Sequence, residues 1–214
     1  MPKGDIQSKD IELSEFDKVE LKGKFRVFYV QNPHNFVNVE TYKNIADNLN
    51  IEVKNNRLSI FEKKETEKVD FYNITIYGKN PFGDIKLSDS VELNISSQMK
   101  IKNFSLNLKD NAKFIGAVLS EKASISMMNK SRANLLGKTD LAKLNIKDTA
   151  SIISPYWYIK DLEIDSRNGN YAELNVDEEI KGKITNSAKL IYYGNPSKKI
   201  KVEGKATIEK RELN

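Results

Sequence analysis

The chain has 214 residues, of which 39% are hydrophobic and 30% charged, with a single histidine and no cysteine. This composition excludes disulfides, cysteine-ligated zinc, thiol nucleophiles and histidine-rich metal sites. The net charge is +5, but Lys and Glu alternate through the whole chain and do not form one basic stripe. We therefore expect no nucleic-acid partner.

No apolar run approaches the roughly 20 residues that a transmembrane helix needs. The first residues, Met1 to Asp5, lead into polar sequence and do not resemble a secretion signal. Two locations stay open. The protein is cytoplasmic, or it is exported to the periplasm or cell surface after removal of a leader, in which case a lipid anchor on the native precursor also stays open.

The N-terminal part of the sequence predicts a short leader followed by strands. Residues 1–14 are predicted to be a flexible leader. From residue 15 onward, apolar and polar residues alternate with a period of two, which predicts strands, with one short helix within 39–49. We expect residues 15–80 to extend or cap the N-terminal end of the repeats that follow, and to form one continuous domain with residues 81–210.

From about residue 85 the alternation becomes a repeat of an apolar residue, three polar residues, a small or apolar anchor, a polar residue and an apolar residue. The anchors are Val91, Ala112, Ala133, Ala150, Ala172, Ala188 and Ala206, of which 133 and 172 belong to degenerate copies. The number of residues between successive anchors varies, but it stays close to the length of one coil of a β-solenoid. In such a fold, the strands of successive coils stack about 4.8 Å apart.

The uneven spacing of the anchors distinguishes between solenoid types. A left-handed hexapeptide solenoid keeps strict steps of about 18 residues, whereas the turns of a right-handed parallel β-helix tolerate insertions. We predict an all-β protein, a right-handed parallel β-helix of the pectin-lyase-like kind with about seven coils. An antiparallel sandwich with evenly spaced hairpins is the alternative.

Several segments together resemble one family. They are Phe16-Asp-Lys-Val-Glu-Leu21, Phe25-Arg-Val27, the stretch 51–60, and Ile191-Tyr-Tyr-Gly-Asn-Pro196. In this order they resemble the auto-transporter adhesin "head GIN" domain family over residues 15 to 210. The resemblance implies an exported bacterial β-helical protein with adhesion as its proposed role and no established catalytic residues. The family usually carries Gly-Ser-Gly at its repeating turns, whereas this chain carries Lys-Asp-Asn at 109–111.

The repeat also predicts a column of polar residues, each two positions before an anchor. Its members are Asp89, Asp110, Ser131, Asp148, Asn170, Asn186 and Gly204. Asp89 and Asp110 are the only carboxylates that neighbour each other in this column, and oxygen-rich columns suit Ca²⁺. The favoured alternative is a set of turn residues or a stacked amide ladder, because calcium takes six or more oxygens. We expect no other cofactor.

The densest aromatic groups are Tyr156-Trp157-Tyr158 and Tyr192-Tyr193. Aromatic rings pack on the apolar faces of sugars while their polar tips stay wet, so a row of them on one side of a solenoid predicts a glycan-binding surface. The alternative, which we favour, places one member of each group in the core and another under a loop.

These features predict a non-enzymatic surface or periplasmic module that binds a glycan or a protein. One alternative is a carbohydrate-active β-helix enzyme, for which Arg132 and Arg167 are the first basic candidates as proton acceptor. The other is a self-assembling structural solenoid, because uncovered end strands can stack on each other.

Overall fold

The computed structural model describes residues 1–67 and 69–213. Within them, seventeen strands join into one sheet, accompanied by a single four-residue helix. In chain order the elements are β1 Ile6–Glu12, β2 Lys18–Gly23, β3 Arg26–Gln31, β4 Phe36–Tyr42, α1 Lys43–Ala46, β5 Leu49–Lys54, β6 Arg57–Glu62, β7 Tyr72–Gly78, β8 Asp84–Asp89, β9 Glu92–Lys100, β10 Asn103–Leu108, β11 Lys113–Met127, β12 Arg132–Ile146, β13 Ser151–Arg167, β14 Tyr171–Thr185, β15 Lys189–Tyr193, β16 Ser197–Val202 and β17 Thr207–Lys210.

The sheet winds into a β-solenoid of about seven coils. Each coil contributes to two stacks of parallel strands. Stack A contains β6, β2, β8, β10, the second halves of β11 to β14, and β16. Stack B contains β7, β3, β9, the first halves of β11 to β14, β15 and β17. The predicted all-β solenoid is therefore confirmed, and the antiparallel sandwich is wrong.

Backbone hydrogen bonds between coils identify the equivalent anchors. The N–H of Arg132 donates to the carbonyl of Ala112, that of Ser151 to Ser131, and that of Tyr171 to Ala150. The predicted anchors Ala133 and Ala172 therefore lie two positions too far along the chain, and the corrected anchors are more evenly spaced than the predicted ones. The corrected set is Val91, Ala112, Ser131, Ala150, Asn170, Ala188 and Ala206.

Polar side chains fill the anchor position in the two degenerate coils because each satisfies its hydrogen bonds there. Ser131 is fully buried, and its hydroxyl donates to the carbonyl of Met128 at 2.8 Å. Asn170 is 1% exposed and donates to the carbonyls of Ile146 and Arg167 at 3.1 and 2.6 Å. Burial of a polar group is tolerated when its partners are present.

The N-terminal region adds coils to the same solenoid. The coil formed by β2 and β3 lies between the coil of β6 and β7 on one side and the coil of β8 and β9 on the other. Arg57 of β6 and Asp84 of β8 form an ion pair of 2.9 Å across β2. The first coil in the sequence is therefore the second in space.

The segment 1–14 is not a structureless leader. Ile6–Glu12 forms β1, which pairs antiparallel with β4, and β4 pairs antiparallel with β7. The strand is exposed along nearly its whole length, so it carries no alternation of buried residues that a sequence pattern could reveal. Backbone pairing to an open edge explains its formation.

The core fills the space between the two stacks. Inward side chains of both stacks meet there, as the rings of Phe104 in stack A and Phe114 in stack B show, with centroids 5.9 Å apart. Alternate residues of each strand point outward. The two outer sheet faces and the turns between stacks are therefore the surfaces on which a site can form.

Candidate functional site

One residue in each of the seven turns that connect stack A to stack B between β8 and β17 adopts a left-handed backbone conformation. These residues are Asp89, Asp110, Asn129, Asp148, Asn168, Asn186 and Gly204, with φ between 58° and 74°. Asn, Asp and Gly tolerate this conformation best among the residue types. We call these seven residues the turn ladder.

Side chains of the turn ladder bind the backbone of the preceding coil. The N–H of Asp89 donates to Oδ2 of Asp110 at 3.0 Å, that of Asp110 to Oδ1 of Asn129 at 3.1 Å, and that of Asn129 to Oδ2 of Asp148 at 2.9 Å. Further along, the side-chain amide of Asn186 donates to Oδ1 of Asn168 at 2.9 Å. The column is thus hydrogen-bonded from Asp89 to Asp148 and again between Asn168 and Asn186.

Two members of the predicted polar column were misplaced. Ser131 and Asn170 are buried anchors, and Asn129 and Asn168 take their places in the turn ladder. A slip of two positions leaves the inward and outward faces of a strand unchanged, so alternation cannot detect it.

Asp89 and Asp110 lie in equivalent turns of adjacent coils. Oδ2 of Asp110 is occupied by the N–H of Asp89. Burial raises the pKa of Asp89, and the nearby Glu62, Glu65 and Asp110 raise it further while Lys24 opposes them. In residues 1–67 and 69–213, no group of three or more Asp, Glu or His side chains is arranged to hold a metal ion.

The five predicted aromatic binding residues do not form one exposed patch. Trp157 is completely buried, and Tyr192 and Tyr193 are 5% and 8% exposed. Tyr156 and Tyr158 flank Trp157 on the outer face of β13 and are 54% and 51% exposed. Only these two remain available to a ligand.

Tyr193 is held by a neighbouring carboxylate. Its hydroxyl donates to Oε1 of Glu173, whose Oε2 accepts the hydroxyl of Tyr171 at 3.0 Å. The hydrogen bond to Glu173 stabilises the protonated phenol and, with partial burial, raises the pKa of Tyr193 to about 12. This arrangement fastens neighbouring coils together at the C-terminal part of stack B.

The outer face of stack B carries most of the exposed large apolar side chains. Twelve large apolar side chains are exposed among the described residues. Seven of them lie on this one face: Phe28, Val30, Ile115, Leu136, Ile153, Tyr156 and Tyr158. We call these seven the stack B face. They span the strands β3 to β13, four coil steps or about 19 Å along the solenoid axis.

Cationic side chains border the stack B face on both sides. Arg26, Lys113 and Arg132 lie along the side next to the turn ladder, where strand pairing places Glu92 between the first two. On the opposite side, where the long strands pass from stack B into stack A, Lys100 and Lys138 flank Leu119. Within the face, Asn94 and Asn134 lie on either side of Ile115 in the neighbouring strands. A largely apolar face bordered by cations suits a partner that is apolar and negatively charged at its rim.

Comparison with known families identifies the chain. The family described as "Putative auto-transporter adhesin, head GIN domain" matches residues 15–196. The chain belongs to this family. The resemblance predicted from the sequence is confirmed, and no curated protein matches the head GIN domain described here.

Solved structures with the same fold include several bacterial proteins. A putative adhesin from Bacteroides fragilis superposes with a TM-score of 0.89 at 18% identity, covering 99% of both chains. Putative adhesins from Parabacteroides merdae and Parabacteroides distasonis give TM-scores of 0.77 and 0.78 at 17% identity. They cover 98% and 97% of this chain and 98% of their own. At these identities the likeness establishes the fold alone.

The structure places the two basic residues considered for catalysis at the ends of strands. Arg132 begins β12 in stack B, beside Lys113 and Ser151 of the adjacent coils. Arg167 ends β13 in stack A and forms an ion pair of 2.8 Å with Asp165. The two arginines of the head GIN domain therefore belong to different stacks. Among the described residues, no helix is long and apolar enough to cross a membrane.

The sequence analysis did not identify the aliphatic members of the stack B face. The signal was present in pairs of adjacent apolar residues, such as Phe114-Ile115, Leu135-Leu136 and Ile152-Ile153. In each pair one residue is buried and the other exposed. Two neighbours on a strand point to opposite sides of the sheet, so an apolar pair requires one apolar residue on the outer face.

Proposed function

We propose that this head GIN domain is a non-enzymatic, exported adhesion module that holds a partner protein through the stack B face. The observation that carries the proposal is the concentration of seven of the twelve exposed large apolar side chains on that face. Exposed apolar surface rimmed by polar residues marks interaction sites on globular proteins. Membership of an adhesin family supports the same role.

The chemistry of the face favours a protein partner with an acidic rim. Tyrosine and arginine contribute strongly to protein interfaces, and both occur here, as Tyr156 and Tyr158 within the face and Arg26 and Arg132 at its border. A second copy of this chain fits less well, because two such faces would bring their cationic borders together. A glycan would find only two tyrosines to stack on in this face, Tyr156 and Tyr158, because the other five members are four aliphatic residues and Phe28.

The experiment combines a binding panel with a face variant. Purified protein is passed over immobilised mucin, fibronectin, laminin and collagen by surface plasmon resonance. We expect at least one to bind with a Kd below about 10 µM. The triple substitution Leu136→Ser, Ile153→Ser and Tyr156→Ser should weaken that binding at least tenfold. Met128→Ser, which removes an exposed apolar residue from a turn outside the face, is the matched control.

Other outcomes would assign other functions. Equal binding by the triple variant and the wild type would exclude the stack B face. Binding to phosphatidylglycerol vesicles without binding to any protein would replace the protein partner by an anionic membrane. Release of reducing sugar or unsaturated uronate from polysaccharides would favour the enzyme alternative. Protease treatment of intact cells should remove the protein if it is exported to the surface.

A further inference from the structure

A shallow groove of about 760 Å³ runs along the outer face of stack A, away from the stack B face. Short polar side chains from successive coils form its walls. Strand pairing aligns Ser105 with Ser124 on one side, and Asn107 with Ser126 and Asn145 on the other. We call the space between these five residues the stack A groove.

The five residues are short and uncharged, whereas charged residues precede and follow them along the solenoid. Before them, the equivalent positions hold Asp84 and Lys86; after them, Lys143 follows Ser124 and Asp165 follows Asn145. None of the five side chains forms a hydrogen bond with another residue of the described chain. Hydroxyl and carboxamide groups each donate and accept hydrogen bonds. The groove therefore presents a row of unused groups with both capacities.

The four charged residues at the C-terminal end of the groove sum to zero net charge: Lys143, Glu163, Asp165 and Lys181. Glu163 lies between Lys143 and Lys181, with oxygen-to-nitrogen distances of 3.2 and 3.0 Å. The two ammonium groups lower the pKa of Glu163 and keep it ionised. An anionic ligand would have to compete with Glu163 for both lysines, so the groove does not favour phosphate or carboxylate groups.

We propose that the stack A groove binds a linear neutral glycan, whose hydroxyls exchange hydrogen bonds with Ser105, Asn107, Ser124, Ser126 and Asn145. Sugar hydroxyls both donate and accept, as do these side chains, and need no charged partner. A polymer lying along the solenoid axis would contact equivalent groups about every 4.8 Å, at each coil. The site goes beyond the proposed function, since it uses a different face and a different class of ligand.

The experiment is a two-dimensional NMR titration of the full chain with five neutral hexasaccharides. The panel is cellohexaose, maltohexaose, laminarihexaose, mannohexaose and chitohexaose. We expect at least one to shift the amide signals of residues 105, 107, 124, 126 and 145 in a saturable manner, with a Kd of about 0.1–1 mM. The double substitution Asn107→Leu and Asn145→Leu keeps the side-chain size, removes the hydrogen bonds and should weaken binding at least tenfold.

Lys122→Leu is the matched control, because it adds an exposed leucine to the same sheet outside the groove and should leave the affinity unchanged. Three results would overturn the proposal. They are no shift with any hexasaccharide up to about 10 mM, shifts that map to another surface, and full affinity in the double variant. Preferential binding of oligogalacturonate over the neutral sugars would also overturn it, because the ligand would then be acidic. None of these results depends on the stack B face.

Discussion

Asp110 lies one coil after Asp89 and accepts the backbone N–H of Asp89 through Oδ2 at 3.0 Å. Asp110 also has a φ of 59°. The side chain of Asp110 thus accepts a hydrogen bond from the backbone of the neighbouring coil. Its own backbone adopts the left-handed conformation of the turn. These two roles can be separated by substitution, because Asn performs both, Gly only the second and Ala neither.

Substitution of Asp110 should therefore give a graded loss of stability. Asp110→Asn keeps an acceptor and a residue that tolerates positive φ, so we expect little change. Asp110→Gly loses the hydrogen bond, at a cost of about 1 kcal/mol. Asp110→Ala adds about 1 kcal/mol for the left-handed conformation. Urea unfolding of the three variants measures these differences, and an alanine variant as stable as the asparagine variant would contradict the ladder.

Asp89 should make the stability of the protein depend on pH. Burial, followed by Glu62, Glu65 and Asp110, raises its pKa in the folded state. A carboxyl whose folded pKa exceeds its unfolded value favours folding while protonated, and this contribution is lost as the pH rises through the two values. Asp89→Asn should therefore raise Tm at pH 7, and the gain should shrink and disappear as the pH falls below the ordinary aspartate pKa.

Thermal unfolding between pH 3 and pH 8 (about the range that spans ordinary and raised carboxyl pKa values) tests this expectation. Asp148→Asn serves as the control, because Asp148 occupies an equivalent turn position two coils beyond Asp110. A gain for Asp89→Asn that does not vary with pH would show that the backbone preference of asparagine, and not the charge, is responsible.

Asn170 should be the most sensitive anchor to replacement by the alanine found in other coils. Asn170→Ala leaves the carbonyls of Ile146 and Arg167 and the hydroxyl of Ser166 without their buried partner. We expect a loss of about 3 kcal/mol. Ser131→Ala, which removes one short hydrogen bond to Met128, should cost about 1 kcal/mol. Equal losses in chemical denaturation would contradict this difference in pairing.

The alternation of the sequence predicts the solenoid because each strand buries one face, yet it cannot determine the order of the coils. The insertion of β2 and β3 between β6–β7 and β8–β9 is one example, since a strand pattern carries no information about its neighbours. The misplaced anchors Ala133 and Ala172 are another. The polar residues Ser131 and Asn170 occupy the buried position only because local carbonyls accept their hydrogen bonds.

The site was harder to predict than the fold because irregularities change which side a residue faces. Ile152 and Ser154 are buried, so strict alternation would bury Tyr156 and expose Trp157. The pairing of β13 with its neighbours shifts within this stretch, and the structure shows the opposite arrangement. Two residues of the aromatic cluster are therefore exposed, while the composition of the stack B face depends on the geometry of several coils.

Trp157 provides a direct check of this shift, since it is the only tryptophan in the chain. It is fully buried, so acrylamide should quench its fluorescence several-fold less efficiently than that of N-acetyltryptophanamide. Trp157→Ala should cost about 3–5 kcal/mol, as expected for a large core residue. Tyr156→Ala, at an exposed neighbouring position, should cost far less. Efficient quenching in the native protein would place Trp157 on the surface and overturn the assignment.

The lysines of β16 should prevent growth of the solenoid at its C-terminal end. β16 ends stack A and pairs with β14 on one side; among the described residues no strand covers its other edge. Lys198, Lys199 and Lys201 are exposed along it, and lysine on an edge strand opposes pairing with another chain. Replacing all three by threonine should therefore expose an edge that a second chain can pair with.

Size-exclusion chromatography with light scattering measures the effect of this triple replacement. We expect concentration-dependent assembly of the variant, whereas the wild type stays unassembled at the same concentrations. The same replacement at Lys109, Lys130 and Lys147, which lie in turns, removes equal charge and should leave the elution unchanged. Assembly of both triple variants would attribute the effect to net charge, and assembly of neither would show that the edge is protected by other means.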